Sequence, residues 1–119
     1  MRESVFQEKL IRELKVLFPG CYIFKEDSSQ YQGIPDLLVL YKKHWAMLEC
    51  KESLTASKQP NQEWYVEVMN DMSFAAFICP ENKKEIIDAL QQSFKLTGLS
   101  RNTKPQLISL DQLLGREAA

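Results

Sequence analysis

The stretch Gly33-Ile34-Pro35-Asp36-Leu37-Leu38-Val39-Leu40-Tyr41-Lys42-Lys43-His44-Trp45-Ala46-Met47-Leu48-Glu49-Cys50-Lys51 decides how the chain is read. Two runs rich in branched and aromatic residues, 34–41 and 44–51, flank Lys42-Lys43. That gap is short enough to close a hairpin, although Lys-Lys is not a preferred turn pair. Side chains alternate along a strand, so Glu49 and Lys51 share one face while Cys50 points into the opposite layer. With a two-residue turn, partners across the hairpin have numbers summing to 85, which sets Asp36 directly opposite Glu49.

Like charges facing each other on a sheet cost roughly 0.2–1 kcal/mol, more when partly buried, and a bound divalent cation removes the repulsion. With hard oxygen ligands and no cluster of cysteine or histidine, the expected ion is Mg2+, with Mn2+ able to substitute. Two carboxylates plus a metal suit phosphodiester hydrolysis, in which a neighbouring lysine orients the attacking water or stabilises developing negative charge. Lys51, held near Asp36 and Glu49, is assigned charge stabilisation and not general-base action. Taken singly, a Pro-Asp pair at a strand start and a Glu-x-Lys salt bridge are ordinary structural features. Their conjunction across one hairpin carries the reading.

Working outward, Phe6, Leu10, Leu14, Leu17 and Phe18 recur at helical spacing over 3–18, and Pro19-Gly20 ends the pattern. A strand is expected over 21–25 and a loop over 26–33. A helix opening at Pro60 runs to about Asp71, with Trp64, Tyr65, Val68 and Met69 as packing candidates. A buried strand over 74–79 and a helix over 81–94 follow. In the tail after Gly98, 101–105 reads as a connection, and Leu107, Ile108, Leu110, Leu113 and Leu114 could dock as a strand and short helix.

At 119 residues, 45% of them hydrophobic, the chain has material for one core and so one domain. No apolar run is long enough to span a bilayer, and the first residues form an amphipathic run instead of an export signal, so an intracellular protein with no membrane partner is expected. Cys21, Cys50 and Cys79 lack metal-site spacing and read as buried reduced thiols. A net charge of -1 argues weakly against a nucleic-acid binder, but net charge averages over faces and leaves room for a local basic rim.

The order Gly33-Ile34-Pro35-Asp36, twelve residues, then Glu49-Cys50-Lys51 resembles the PD-(D/E)xK motif of restriction-enzyme-like nucleases. The resemblance spans roughly 3–79 and is nearest the small stand-alone VRR-NUC proteins of phages and bacteria, which begin with Glu-x-x-x-Gln, here Glu3-Ser4-Val5-Phe6-Gln7. It implies an α/β fold with a restriction-endonuclease-like core, a central mixed sheet whose hairpin binds metal, and flanking helices. One nuclease domain would fill 1–119, with a C-terminal helix and tail over 80–119. It further implies a Mg-dependent deoxyribonuclease acting on DNA, often on branched, flap or Holliday-junction structures, commonly as a homodimer in the cytoplasm of a bacterial or phage-infected cell. Asp36, Glu49 and the Cys50 carbonyl would bind metal, Glu3 would contact metal or its water, and Gln62 would line the site. The chain departs from the pattern at Leu37, where a basic residue is frequent, and over 52–60, where a glycine-containing loop is frequent.

Two positions have rivals. Glu8 competes with Glu3, which lies on the stripe of Gln7, Leu10, Leu14 and Leu17 at about 100° per residue. Gln59 competes with Gln62, and either could be plain surface. His44, by the turn, reads as an exposed histidine without a catalytic role. Lys9, Arg12, Lys25, Lys42, Lys43 and Lys58 are candidates for phosphate contact. Tyr31, Tyr65, Trp45 and Trp64 could stack bases, although core packing is the better expectation for the tryptophans. The alternative from another class is a non-catalytic nucleic-acid or protein-binding module that keeps the fold. A third reading makes the charges a structural salt-bridge cluster.

Overall fold

The computed structural model describes residues 1–100, with side chains through Lys95. The expectations for the tail beyond Ser100 lie outside the described residues. The elements are α1 (Glu3–Leu17), β1 (Tyr22–Lys25), β2 (Leu37–Tyr41), β3 (His44–Cys50), α2 (Pro60–Met72), β4 (Phe74–Ile78) and α3 (Lys83–Ser100). They form a small α/β fold around a four-stranded mixed sheet of order β1-β2-β3-β4. β1, β2 and β3 are antiparallel neighbours, and α2 carries the chain back so that β4 lies parallel to β3.

Strand alternation divides the residues between two layers. Leu37, Val39, Ala46, Leu48, Cys50 and Ile78 turn to one face, where Phe6, Leu10 and Leu14 of α1 and Ile87, Leu90 and Phe94 of α3 complete one buried cluster. On the other face α2 packs against β3 and β4, covering Met47 and Ala75. Tertiary burial is thus heavy on the α1–α3 side and lighter under α2, in which no residue is fully buried.

The hairpin register is the expected one, with Leu37 opposite Leu48 and Tyr41 opposite His44. Closing it on two lysines forces Lys42 to φ 57°, the left-handed region that glycine or asparagine usually occupies. The Lys42 ammonium lies 5.1 Å from the Tyr41 ring centre, a contact that offsets part of the backbone cost.

Several boundaries differ from the sequence reading. β2 begins at Leu37 and not at Ile34, because Pro35 has no N–H and the Asp36 amide goes to the Glu49 carboxylate instead of a ladder carbonyl. β3 ends at Cys50, with the Lys51 amide still bonded to the Ile78 carbonyl at 2.9 Å. α3 begins later than expected, at Lys83, because Asn82 ties the turn before it, its side chain accepting from the Cys79 amide and donating to the Phe77 carbonyl. Trp64 is 58% exposed and Trp45 half-buried, so neither tryptophan is a core residue: α2 offers the sheet a narrow stripe, and Trp64 falls outside it.

Cys50 and Cys79 are buried and free, whereas Cys21, just before the edge strand β1, is only half-buried. His44 is also half-buried, its ring stacked 5.3 Å from that of Phe94, and not the exposed turn residue expected. Among the described residues no helix is long and apolar enough to cross a membrane.

Replacing Lys42 by glycine relieves the left-handed strain and loses the Tyr41 contact; the expected net is a gain of about 0.5 kcal/mol in unfolding free energy, read from urea denaturation.

Candidate functional site

The hairpin register brings Asp36 and Glu49 side by side at the open end of β2 and β3. The Asp36 amide donates to Glu49 Oε1 at 3.1 Å, and Asp36 Oδ2 accepts from the Cys50 amide at 3.0 Å. On the other edge the Asp36 carbonyl accepts from the Glu26 amide at 2.8 Å, so β1 also fixes this residue. Each carboxylate is therefore held by main chain of the other's strand. Since the amide and carbonyl of one strand residue point to the same side, the Cys50 carbonyl faces the Asp36 side and not β4.

Lys51 and Gln62 complete the group. Gln62 donates from Nε2 to Glu49 Oε2 at 2.9 Å, and its Oε1 accepts from Lys51 Nζ at 2.8 Å. Lys51 Nζ lies 3.8 Å from Glu49 Oε2, with the side chains only 11% and 4% exposed. Gln62 is the third residue of α2, where its Oε1 also accepts from the Gln59 amide at 3.0 Å in a reciprocal capping box. That settles the two roles: Gln62 reaches the charged group, and Gln59 is the N-cap.

The approach of α2 depends on Gly33. It sits at φ +91°, and a Cβ there would meet the Asn61 Cβ at 2.5 Å and the Gln62 amide nitrogen at 3.1 Å. Asn61 also donates from its side chain to the Gln32 carbonyl at 3.3 Å. The 28–34 loop and the first turn of α2 thus face each other across a cleft of ≈ 330 Å³ that reaches Asp36.

Burial dominates the electrostatics. The Glu49 carboxyl is pushed up to about 7, first by burial and then by the charge of Asp36. Burial also raises Asp36, against the lowering influence of the Cys50 amide and Lys51. Glu3 is raised by burial and by Asp36, and its charge is felt at Glu49, so it faces this site from the start of α1. It makes no third member of a compact ligand group: among the described residues no three or more His, Cys, Asp or Glu are placed to hold a metal ion. Burial pushes the Cys50 thiol up to about 12, leaving it a neutral core group.

The lysine and arginine candidates scatter. Lys58 lies over the Phe77 ring at 4.7 Å and borders, with Lys51, a small cleft of ≈ 40 Å³. Lys42 and Lys43 sit at the far end of the hairpin, Lys25 closes β1, and Lys9 and Arg12 lie on α1. These residues make no single basic rim around Asp36. Tyr31 is exposed and Tyr65 packs edge-on against Trp64 with centroids 5.0 Å apart. Sequence reasoning assigned no role to Glu26 and took Gly33 only as part of the motif, without its packing against α2; the signals were the antiparallel continuation of β1 and a lone glycine before Pro-Asp. Compared with known protein families, with curated proteins and with solved structures, the chain matches none.

The folded protein holds the Glu49 proton more tightly than the unfolded chain, whose value is 4.5. The stability this confers is full below the unfolded value and is lost as pH rises through about 7, on the order of 3 kcal/mol, with Asp36 and Glu3 acting in the same direction. With chelator present, the thermal midpoint should fall between about pH 5 and about pH 8, and Glu49→Gln should flatten that slope. Gly33→Ala should cost roughly 1–3 kcal/mol in denaturant melts, through positive φ and the displaced start of α2.

Proposed function

We propose that this chain is a Mg-dependent nuclease of the PD-(D/E)xK type that hydrolyses phosphodiester bonds in DNA. The observation that carries the reading is the buried Glu49 beside the half-buried Asp36, with Gln62 linking Glu49 to Lys51 on one face of the sheet. Two carboxylates brought together where burial favours their neutral forms are a poor choice for a structural cluster, and the charge of Asp36 raises the proton affinity of Glu49 further. They are a suitable choice for holding a hard divalent ion. The order helix, strand, hairpin, helix, strand, with β4 parallel to β3, is in keeping with a restriction-endonuclease-like core whose hairpin carries the ligands.

The donor set fits magnesium, which uses one or two carboxylates and keeps several waters for substrate phosphate. Asp36, Glu49 and the Cys50 carbonyl would hold the ion, with Glu3 reaching it through water. When bound, magnesium polarises the scissile phosphate and lowers the pKa of a water. The chain's own groups do the rest. The Cys50 amide orients Asp36, and Gln62 fixes Glu49 Oε2 and Lys51 Nζ relative to each other. Lys51, only 11% exposed, places a positive charge where negative charge develops on the phosphoryl oxygens. The cleft between the 28–34 loop and α2 gives the substrate access to Asp36.

The test is incubation of the purified protein with labelled four-way junction, flap, single-strand and duplex DNA in magnesium or manganese. Asp36→Asn and Lys51→Ala should each lower cleavage by about 10²–10³-fold while leaving the fold intact by circular dichroism. If no substrate is cut in either metal, or both variants cut like the wild type, the nuclease reading fails and a binding module remains.

A further inference from the structure

The face of the sheet that carries Asp36 and Glu49 is only half covered. α2 packs on β3 and β4, while β1 at the sheet edge leaves Tyr22 67% and Phe24 50% exposed. Their alternation partner Ile23 turns the other way, against the core. The two exposed rings are near-parallel, inclined by 10° with centroids 6.4 Å apart. Large aromatic side chains left paired and open to water on a small domain mark a contact surface more often than an accident of packing.

Register locates this pair relative to the site. Phe24 is opposite Leu38 and Tyr22 opposite Leu40, and Leu38 is two residues along β2 from Asp36. A strand spacing of about 4.8 Å and a two-residue rise of about 6.7 Å put the Phe24 and Asp36 Cα atoms roughly 8 Å apart. Continuing away from Asp36, the same track passes Tyr22 and ends at the turn of Lys42 and Lys43, both exposed, roughly 20 Å from Asp36. Acidic groups that would take a metal-bridged phosphate stand at one end, two π faces in the middle and two cations at the other end. A polyanion with free bases matches that order of charge and aromatic surface.

We propose that Tyr22 and Phe24 form a base-stacking platform for an unpaired strand of nucleic acid that runs from the Asp36–Glu49 site toward the Lys42-Lys43 turn. The proposal rests on the nuclease reading for the direction of the strand and narrows its substrate to DNA with a single-stranded segment beside the cut. A duplex keeps its base faces stacked inside the helix and has nothing to offer the two rings; an unpaired segment does.

Fluorescence anisotropy of a fluorescein-labelled oligothymidylate, in chelator so that nothing is cut, tests it. Tyr22→Ala and Phe24→Ala should each weaken binding by roughly 5- to 100-fold, and Phe24→Trp should retain it. Blunt duplex binding and the melting temperature should not change in any of the three variants. The proposal is overturned if the wild type does not bind the oligothymidylate, or if the double alanine variant binds it equally well. It is also overturned if the two substitutions turn a dimer into a monomer by light scattering, which would make this face a contact between copies of the chain. Failure of the nuclease reading is distinguishable: a wild type that cuts nothing but loses strand binding with the aromatic substitutions keeps the platform and removes the enzyme. Cleavage that depends on Asp36 alongside unaltered strand binding in the double variant does the reverse.

Discussion

Two carboxyl groups are held side by side at the mouth of one hairpin, Glu49 buried and Asp36 half-buried, where their repulsion is poorly screened. The structure tolerates this because each carboxylate accepts a main-chain N–H from the opposite strand, Asp36 from Cys50 and Glu49 from Asp36. Charge-assisted bonds of this kind are stronger than neutral ones and tie one oxygen of each carboxylate to main chain, while Gln62 holds the other oxygen of Glu49. The remaining imbalance appears as the elevated affinity of Glu49 for a proton. Lys51 compensates only in part, since its Nζ stands 3.8 Å from Glu49 and is itself shared with Gln62.

The rest of the fold serves that geometry. α1 and α3 bury the opposite face of the sheet through Leu10, Leu14, Leu90 and Phe94, making the sheet a rigid platform. α2 is lightly packed, but its first turn is pinned by the Gln59 cap, by Pro60 and by the close approach of Gly33. A helix anchored at its N-terminus and loosely buried along its length delivers one side chain, Gln62, with precision. This is the arrangement expected when a site must be held in place by rigid elements and a supporting layer of hydrogen bonds.

Much of the site was legible in the chain. The numbers on either side of Lys42-Lys43 sum to a register that pairs Asp36 with Glu49, because hairpin loop length fixes register and side chains alternate without exception along a strand. α1 was readable from its four-residue spacing, and Pro60 announced the start of α2. Harder to read were features that depend on contacts between distant segments. Nothing local distinguishes Gln62 from Gln59 until both are seen at the head of α2, one capping and one reaching Glu49. Trp64 and Trp45 looked like core residues by hydrophobicity, yet the narrow footprint of α2 on the sheet leaves one exposed and the other half-buried. The basic residues expected as one rim lie on separate elements, since a sequence gives their number and not their directions.

The sequence by itself determined the hairpin, its register and the identity of the acid, acid and lysine group, because strand periodicity and turn length are local properties. The tertiary structure alone decided how deeply Asp36 and Glu49 are buried, which glutamine joins Glu49 to Lys51, and which half of the sheet stays open. Those depend on where α2 lands after the crossover from β3 to β4, and that position is set by long-range packing and by the space beside Gly33.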